Sequence, residues 1–416
     1  MMSAQPIRVL STDVANKIAA GEVVERPASV VKELLENAID AKAKNIEIEV
    51  RAGGRDYIRV TDDGHGISQE QLPLAFLRHA TSKIASAEDL TQIASLGFRG
   101  EALASIASCA EVEVISRTAE TEEAARLVIK GGHSEPVTSW GAPPGTTIVV
   151  RNLFYNTPAR LKFLKQPATE RRHSTQYVSH MALAHPEIAF HLIGDHDTIL
   201  RTPGTSDLLT AFGAVHGTAL ARRMIPVDWE SASIRISGYV SPPDEVKSNR
   251  LSQAVFVNGR WVQNRLLYSA VEKAYDTMLA VRRFPVVALH LEIDPSLVDI
   301  NVHPAKTEVR FHNDSEIFRH ILRAVRAGLA GANLMPRAKE WSTERADDHQ
   351  REQVRAYQLF PEQRAPMIRE AGSEVAASYH DDSYDQTRPA GLEIELESLH
   401  DQPDLLEHMR APLVEQ

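Results

Sequence analysis

The stretch that most constrains the fold is residues 29–62. From Ser29 to Asp40 apolar residues recur at helical spacing, with Val30, Val31, Leu34, Leu35 and Ala38 on one side. Pro27 stands just ahead of this helix and Ser29 is the expected N-cap. NIEIEV then alternates strictly, Gly53-Gly54 supplies a turn, and YIRVTD follows, which is the pattern of a β-hairpin. Any fold for this chain has to seat that helix and that hairpin one after the other.

The opposite side of the helix is polar: Glu33, Glu36, Asn37 and Asp40 share helical spacing. The amide oxygen of Asn37 is a hard donor of the kind Mg²⁺ takes. Glu33 lies one turn earlier, where a carboxylate can orient and deprotonate a water attacking a phosphate. For the helix by itself, a solvated polar face is the better account of the stripe. Asp62-Asp63-Gly64-His65-Gly66 closes the second strand. Asp62 there can accept from the exocyclic amine of adenine, and Gly64 and Gly66 let backbone approach a base and sugar; a plain turn is the alternative. Gly97-Phe98-Arg99-Gly100-Glu101-Ala102-Leu103 reads as a glycine-rich loop entering a helix N-terminus, where unpaired N–H groups favour phosphate. Thr81-Ser82-Lys83 reads as a lid element or a polar turn. Gly145-Thr146-Thr147 opens a strand that can present a threonine hydroxyl. Lys306, after the rigid Pro304, can reach a terminal phosphate.

Further along, SIRISGYVSPP, QAVFVNGRWV and VVALHLEIDP are strand-like, with helices expected over 266–279 and 317–330. Past residue 335 apolar periodicity fades, and 336–416 is expected to be a disordered acidic tail. The formal net charge of −10 hides an uneven distribution: residues 1–150 carry −6, residues 151–340 carry +6, and residues 341–416 carry −10. The middle of the chain is where a polyanion could bind, with Arg260 and Arg265 as candidate DNA contacts; ordinary scatter of surface charge and ordinary surface arginines are the alternative. The single cysteine, Cys109, excludes an intrachain disulfide and a cysteine-based metal cluster, and reads as a small core residue. No apolar run approaches membrane-span length, so a cytoplasmic location is expected.

ENAIDA, DDGHG, GFRGEALASI and GTT resemble, in order, the four nucleotide-binding motifs of the ATPase superfamily that contains gyrase B, Hsp90, sensor histidine kinases and MutL. KIAAGEVVERPASVVKELLENAIDA, RHATSKI, SLGFRGEALASI, LFYNTPARLKFL and VDINVHPAKTEVRF resemble the MutL family specifically, from about Val9 to about Phe318. The resemblance implies an α/β two-layer sandwich over residues 1–203 that binds ATP and Mg²⁺. A ribosomal-protein-like βαβ transducer over 204–335 and the acidic tail over 336–416 complete the expected division. It also implies roles residue by residue. Glu33 looks like the general base and Asn37 like the Mg²⁺ ligand. Asp62 and Gly66 match the adenine-side motif, Thr81, Ser82 and Lys83 the lid, and Gly97, Phe98, Arg99, Gly100 and Leu103 the phosphate loop. Thr147, or Thr146, matches the strand threonine, and Lys306 the lysine that senses the terminal phosphate. Asp63 stands where relatives often carry Asn and is expected to add negative charge beside the nucleotide.

The function implied is mismatch repair, in which slow ATP hydrolysis drives closure of two N-terminal regions of a homodimer. Such a protein links the mismatch sensor MutS to a nicking endonuclease and a helicase, and binds single- and double-stranded DNA without reading sequence. No endonuclease motif is expected in this chain, and no membrane partner. A scaffold that binds ATP without turning it over is the competing class. Against a sensor kinase stands the absence of any histidine ahead of Asn37.

Overall fold

The computed structural model describes residues 21, 23–83, 96–97, 100–299 and 309–332. Helix α1 runs Pro27–Asp40. Its N-cap is Arg26, so it starts three residues earlier than a Ser29 N-cap predicts, because Pro27 occupies the first turn, where its fixed φ and missing N–H suit a helix start. Val30, Val31, Leu34, Leu35 and Ala38 are buried as the spacing requires. At about 1.5–3 kcal/mol for each fully buried Val or Leu, this apolar side is what holds the helix on its sheet.

That sheet contains nine strands among the described residues. β1 (Asn45–Arg51) and β2 (Tyr57–Asp62) form the antiparallel hairpin. Helix α2 (Ala102–Cys109) leads into β3 (Glu111–Arg117), β4 (Ala124–Lys130), the short β5 (His133–Ser134) and β6 (Thr138–Trp140), then β7 (Gly145–Arg151). After helices α3 (Pro158–Phe163) and α4 (Pro167–Ala184) come β8 (Ala189–Ile193) and β9 (Thr198–Arg201). The order across the sheet is β5-β4-β3-β7-β2-β1-β8-β9, with β6 beside β4 and only β1–β8 parallel. Ile46, Ile48, Val50, Ile58, Val60, Ile148 and Val150 share one face and bury it with α1 and α4. Cys109 is fully buried, and burial pushes its thiol up to about 12.

A second sheet of five strands follows helix α5 (Leu208–His216). Its strands are β10 (Ile225–Glu230), β11 (Ile234–Val240), β12 (Gln253–Val257), β13 (Arg260–Trp261) and β14 (Val287–Ile293), in the order β10-β11-β14-β12-β13. β12 and β14 are parallel and joined through helix α6 (Arg265–Ala274), which makes a βαβ unit. Helix α7 (Asp314–Gly331) packs with α6 on one face of this sheet, through Leu267, Ala270, Val271, Ile317, Ile321 and Val325. On the other face Ala254, Phe256 and Ala288 join the core of the first sheet beside Tyr177, Met181 and Ala184 of α4. The α/β sandwich with a second βαβ layer expected from the sequence is thus the observed architecture. The helix expected over 266–279 ends earlier, at Ala274, where Tyr275 turns inward, 1% exposed, and donates to the carbonyl of Ser241.

Candidate nucleotide site

The polar side of α1 is not a free solvated face. Asn37 Oδ1 accepts from the Lys83 ammonium at 2.9 Å, and Asp40 Oδ2 accepts from the same ammonium at 2.5 Å. Asp40 also takes the backbone N–H of Leu96 on Oδ1 at 2.9 Å and that of Gly97 on Oδ2 at 3.0 Å. One carboxylate thereby ties the end of the helix to the start of the glycine-rich loop. A Cβ on Gly97 would lie 3.0 Å from Lys83 Nζ and 3.6 Å from Asn37 Oδ1, so glycine leaves this pocket open. Glu33, one turn before Asn37, accepts from Lys32 at 2.9 Å.

Lys32 continues to Glu36, which is 6% exposed and also accepts from the Tyr177 hydroxyl at 2.8 Å. Burial works against the Lys32 ammonium, but Glu36 and Glu33 outweigh it and raise its pKa. Tyr177 is raised well above its ordinary value by burial and by the Glu36 charge. The stripe read from sequence therefore splits in two: Asn37 and Asp40 meet Lys83 and, through Asp40, the start of the loop, while Glu33 and Glu36 share Lys32, with Glu36 also held by Tyr177.

The DDGHG segment ends β2. Burial pushes the Asp62 carboxyl up to about 6, against the N–H of Gly64, which donates to it at 2.9 Å. Asp63 turns the other way. Its oxygens take the N–H groups of Lys44 and Asn45 and the Asn45 side chain at 2.7–2.9 Å. Desolvation of Asp63 is outweighed by these donors, which lower its pKa. Asp63 keeps its negative charge, and its carboxylate fastens the α1–β1 connection. Gly66 sits at φ +71°, and a Cβ there would fall 2.0 Å from the carbonyl of Arg117. Its need for glycine comes from its own sheet as well as from any ligand.

Strand register separates the two threonines. Thr146 pairs with Asp62 and Thr147 with Thr61. Residues directly opposite in an antiparallel pair share a face, so Thr146 accompanies Asp62 and Thr147 points away, donating to Thr61 at 3.2 Å. Thr146 is buried and hydrogen-bonded to Ser116 at 2.9 Å. Of the two threonines left open by the sequence, Thr146 is the one on the Asp62 side, and Thr147 is not. The missing signal was register, since GTT alone does not say which hydroxyl faces the carboxylate.

Thr81 and Ser82 are exposed, and Lys83 closes their turn with its N–H on Thr81 Oγ1 at 3.2 Å. Gly100, at φ +61°, lies against Ala80, where a Cβ would meet the carbonyl at 2.5 Å. Leu103 is half-buried on α2 and packs on the first core. Phe98, Arg99 and Lys306 lie outside the described residues, as does 336–416.

Arg265 is exposed at the start of α6, compatible with an outside contact. Arg260 is different: it is 6% exposed, and its Nη1 donates to the carbonyl of Leu96 at 3.2 Å. A DNA phosphate does not reach a guanidinium so placed, and its assignment as a DNA contact is withdrawn. Burial lowers its pKa, and Glu36, Asp40 and Tyr177 partly restore it.

The donor set suits a hard cation. A lysine ammonium already rests on the Asn37 and Asp40 oxygens, and among the described residues no three His, Cys, Asp or Glu side chains converge into a protein-only cage. Mg²⁺ keeps several waters and takes substrate phosphates, and the Asn37 amide oxygen is the kind of hard donor it adds to these.

The family model "Histidine kinase-, DNA gyrase B-, and HSP90-like ATPase" matches residues 25–139, and "DNA mismatch repair protein, C-terminal domain" matches residues 212–330. The chain is 42% identical over 385 residues to the DNA mismatch repair protein MutL of Shouchella clausii, covering 92% of this chain and 58% of that protein. It is 48% identical over 320 residues to the MutL of Syntrophomonas wolfei, covering 77% of this chain and 55% of that protein. The chain thus spans somewhat over half the length of these relatives. Among solved structures, the N-terminal domain of a DNA repair protein superposes with a TM-score of 0.65 at 28% identity, covering 76% of this chain and 98% of that one. The Aquifex aeolicus MutL ATPase domain complexed with ADP gives 0.51 at 27%, covering 72% and 98%. No helix among the described residues is long and apolar enough to cross a membrane. With an ATPase domain of the gyrase B and Hsp90 kind followed by a mismatch-repair domain, the chain belongs to the MutL family of DNA mismatch repair proteins.

Proposed function

We propose that this chain hydrolyses ATP slowly and uses the cycle to switch between open and closed states in mismatch repair. The observation that carries the reading is the gathering of Asn37, Asp40, Lys83 and the Gly97 N–H at the C-terminal end of α1, with Glu33 one turn earlier on the same helix. In this reading Asp62, with Thr146 beside it, accepts from the adenine amine. Asn37 holds Mg²⁺, which supplies charge neutralisation on the phosphates. Lys83 leaves Asn37 and Asp40 for phosphate oxygen as the lid closes. Glu33 takes the proton of the attacking water, and Lys306 contacts the terminal phosphate from the second domain. Phe98, Arg99 and Gly100 complete the loop around the phosphates.

The division into 1–203, 204–335 and 336–416 belongs to the same proposal. So do homodimeric closure, exchange with MutS, a nicking endonuclease and a helicase, and non-sequence-specific DNA binding through the basic middle of the chain, where Arg265 remains a candidate. Such binding would weaken steeply with salt. The test is phosphate release by this chain in Mg²⁺ and in EDTA, with ADP binding measured in parallel. Mg²⁺-dependent turnover that Asn37→Ala removes supports the reading. A chain that binds no ADP contradicts it.

A further inference from the structure

Leu96 and Gly97 share one peptide group, and that group is held from both ends. Its N–H, on Gly97, donates to Asp40 Oδ2 at 3.0 Å. Its carbonyl, on Leu96, accepts from Arg260 Nη1 at 3.2 Å. In a trans peptide these two groups point in opposite directions, so the two contacts together fix the orientation of the plane. One anchor comes from the helix of the nucleotide site. The other comes from the second sheet, 164 positions away in the chain.

Arg260 is itself firmly placed. It follows the turn residues Asn258 and Gly259, both at positive φ, in a tight hairpin that pairs Val257 with Arg260 and Phe256 with Trp261. Its neighbour Trp261 stacks near His180, with ring centres 4.1 Å apart, and sits edge-on to Tyr177 at 6.2 Å. Tyr177 in turn donates to Glu36 on α1. The hairpin is thus seated on α4 and linked to the same helix that carries Glu33, Asn37 and Asp40. Burying a guanidinium costs free energy, which the negative charges of Glu36 and Asp40 and the Leu96 carbonyl offset.

We propose that Arg260 is a positioning residue through which the second sheet sets the Leu96–Gly97 peptide plane, and so the entrance of the phosphate loop. The assignment of that loop to phosphate rests on the function proposed above; the clamp itself does not. With the clamp intact, Gly97 keeps its N–H on Asp40. Without Arg260 the plane loses the anchor that the second sheet places on its carbonyl, and the loop entrance is less firmly preset for the terminal phosphate. Adenine recognition, at the Asp62 end, has no part in this.

The test uses the whole chain with Arg260→Met, which keeps the aliphatic volume without a buried charge, and Arg260→Lys. Amide exchange at Gly97 without nucleotide reads the clamp directly. Arg260→Met is expected to speed it about tenfold or more, with Arg260→Lys between it and wild type. Affinity for a non-hydrolysable ATP analogue is expected to fall about tenfold more than affinity for ADP. Unchanged Gly97 exchange in a folded Arg260→Met protein overturns the clamp. Equal losses for analogue and ADP, or a lower Tm alone, overturn its role in phosphate recognition. Failure of wild type to bind ADP would remove the nucleotide reading and leave the exchange result to judge the clamp.

Discussion

The two sheets of this chain are covered differently. The first has one face packed on helices and one face left outward, where Glu47, Glu49 and Arg59 form one ion-pair ladder and Arg126, Glu113 and Arg151 another. The second is covered on both sides, by α6 and α7 on one face and by α4 on the other. A sheet covered on one face can offer its strand ends to a ligand, and Asp62 and Thr146 lie at such ends. A sheet covered on both faces transmits position, because close-packed interiors do not deform gradually. In the function proposed above, the chemistry belongs to the first sheet and the coupling to the second, with Arg260 between them.

The largest expected effect tests the chemical side. Replacing Glu33 with Ala should lower kcat by about 10²–10⁴-fold, since a positioned general base contributes that much. Next comes the layer between the sheets. Phe256→Ala, at a fully buried position, should cost about 3–5 kcal/mol in denaturant unfolding. A cost near zero would mean that the second sheet is not tightly docked. Asp62→Asn should weaken ATP binding about 10–100-fold, and wild-type affinity should fall as pH drops through about 6, where Asp62 takes up its proton.

Acid should act on the two regions with opposite sign. Burial lowers His180, between the sheets, to about 4. The unfolded chain then takes the proton first, so the stability from neutral His180 is full above about pH 6.5 and is lost towards pH 4, up to about 3 kcal/mol. Asp62 is raised, so the folded chain takes its proton first and gains stability below pH 6. Melting curves from pH 7.5 to 5 should therefore slope less with pH in His180→Phe and more steeply in Asp62→Asn. The smallest effect belongs to the outer ladder. Arg151→Ala should cost no more than about 1 kcal/mol and lose even that in high salt.

The helix, the hairpin and the order of motifs were legible in the sequence because each rests on local periodicity or turn chemistry. Helical spacing put Glu33 and Asn37 on one polar side of the helix, and the resemblance of the surrounding motif gave them their expected roles. What was not legible depends on contacts distant along the chain. Glu36 looked like one more polar residue of the stripe until Tyr177, from another helix, closed over it. Thr146 and Thr147 differ only by register with β2. Arg260 and Arg265 both looked like surface cations, yet the hairpin turn directs one inward and helix α6 leaves the other outside.

The most direct measurement compares binding with turnover in Glu33→Ala. If ATP binds with near wild-type affinity while hydrolysis in Mg²⁺ is lost, the site is a nucleotide pocket with Glu33 as its base, as the account holds. If Glu33→Ala hydrolyses ATP at the wild-type rate, the base lies elsewhere and the account of α1 is wrong.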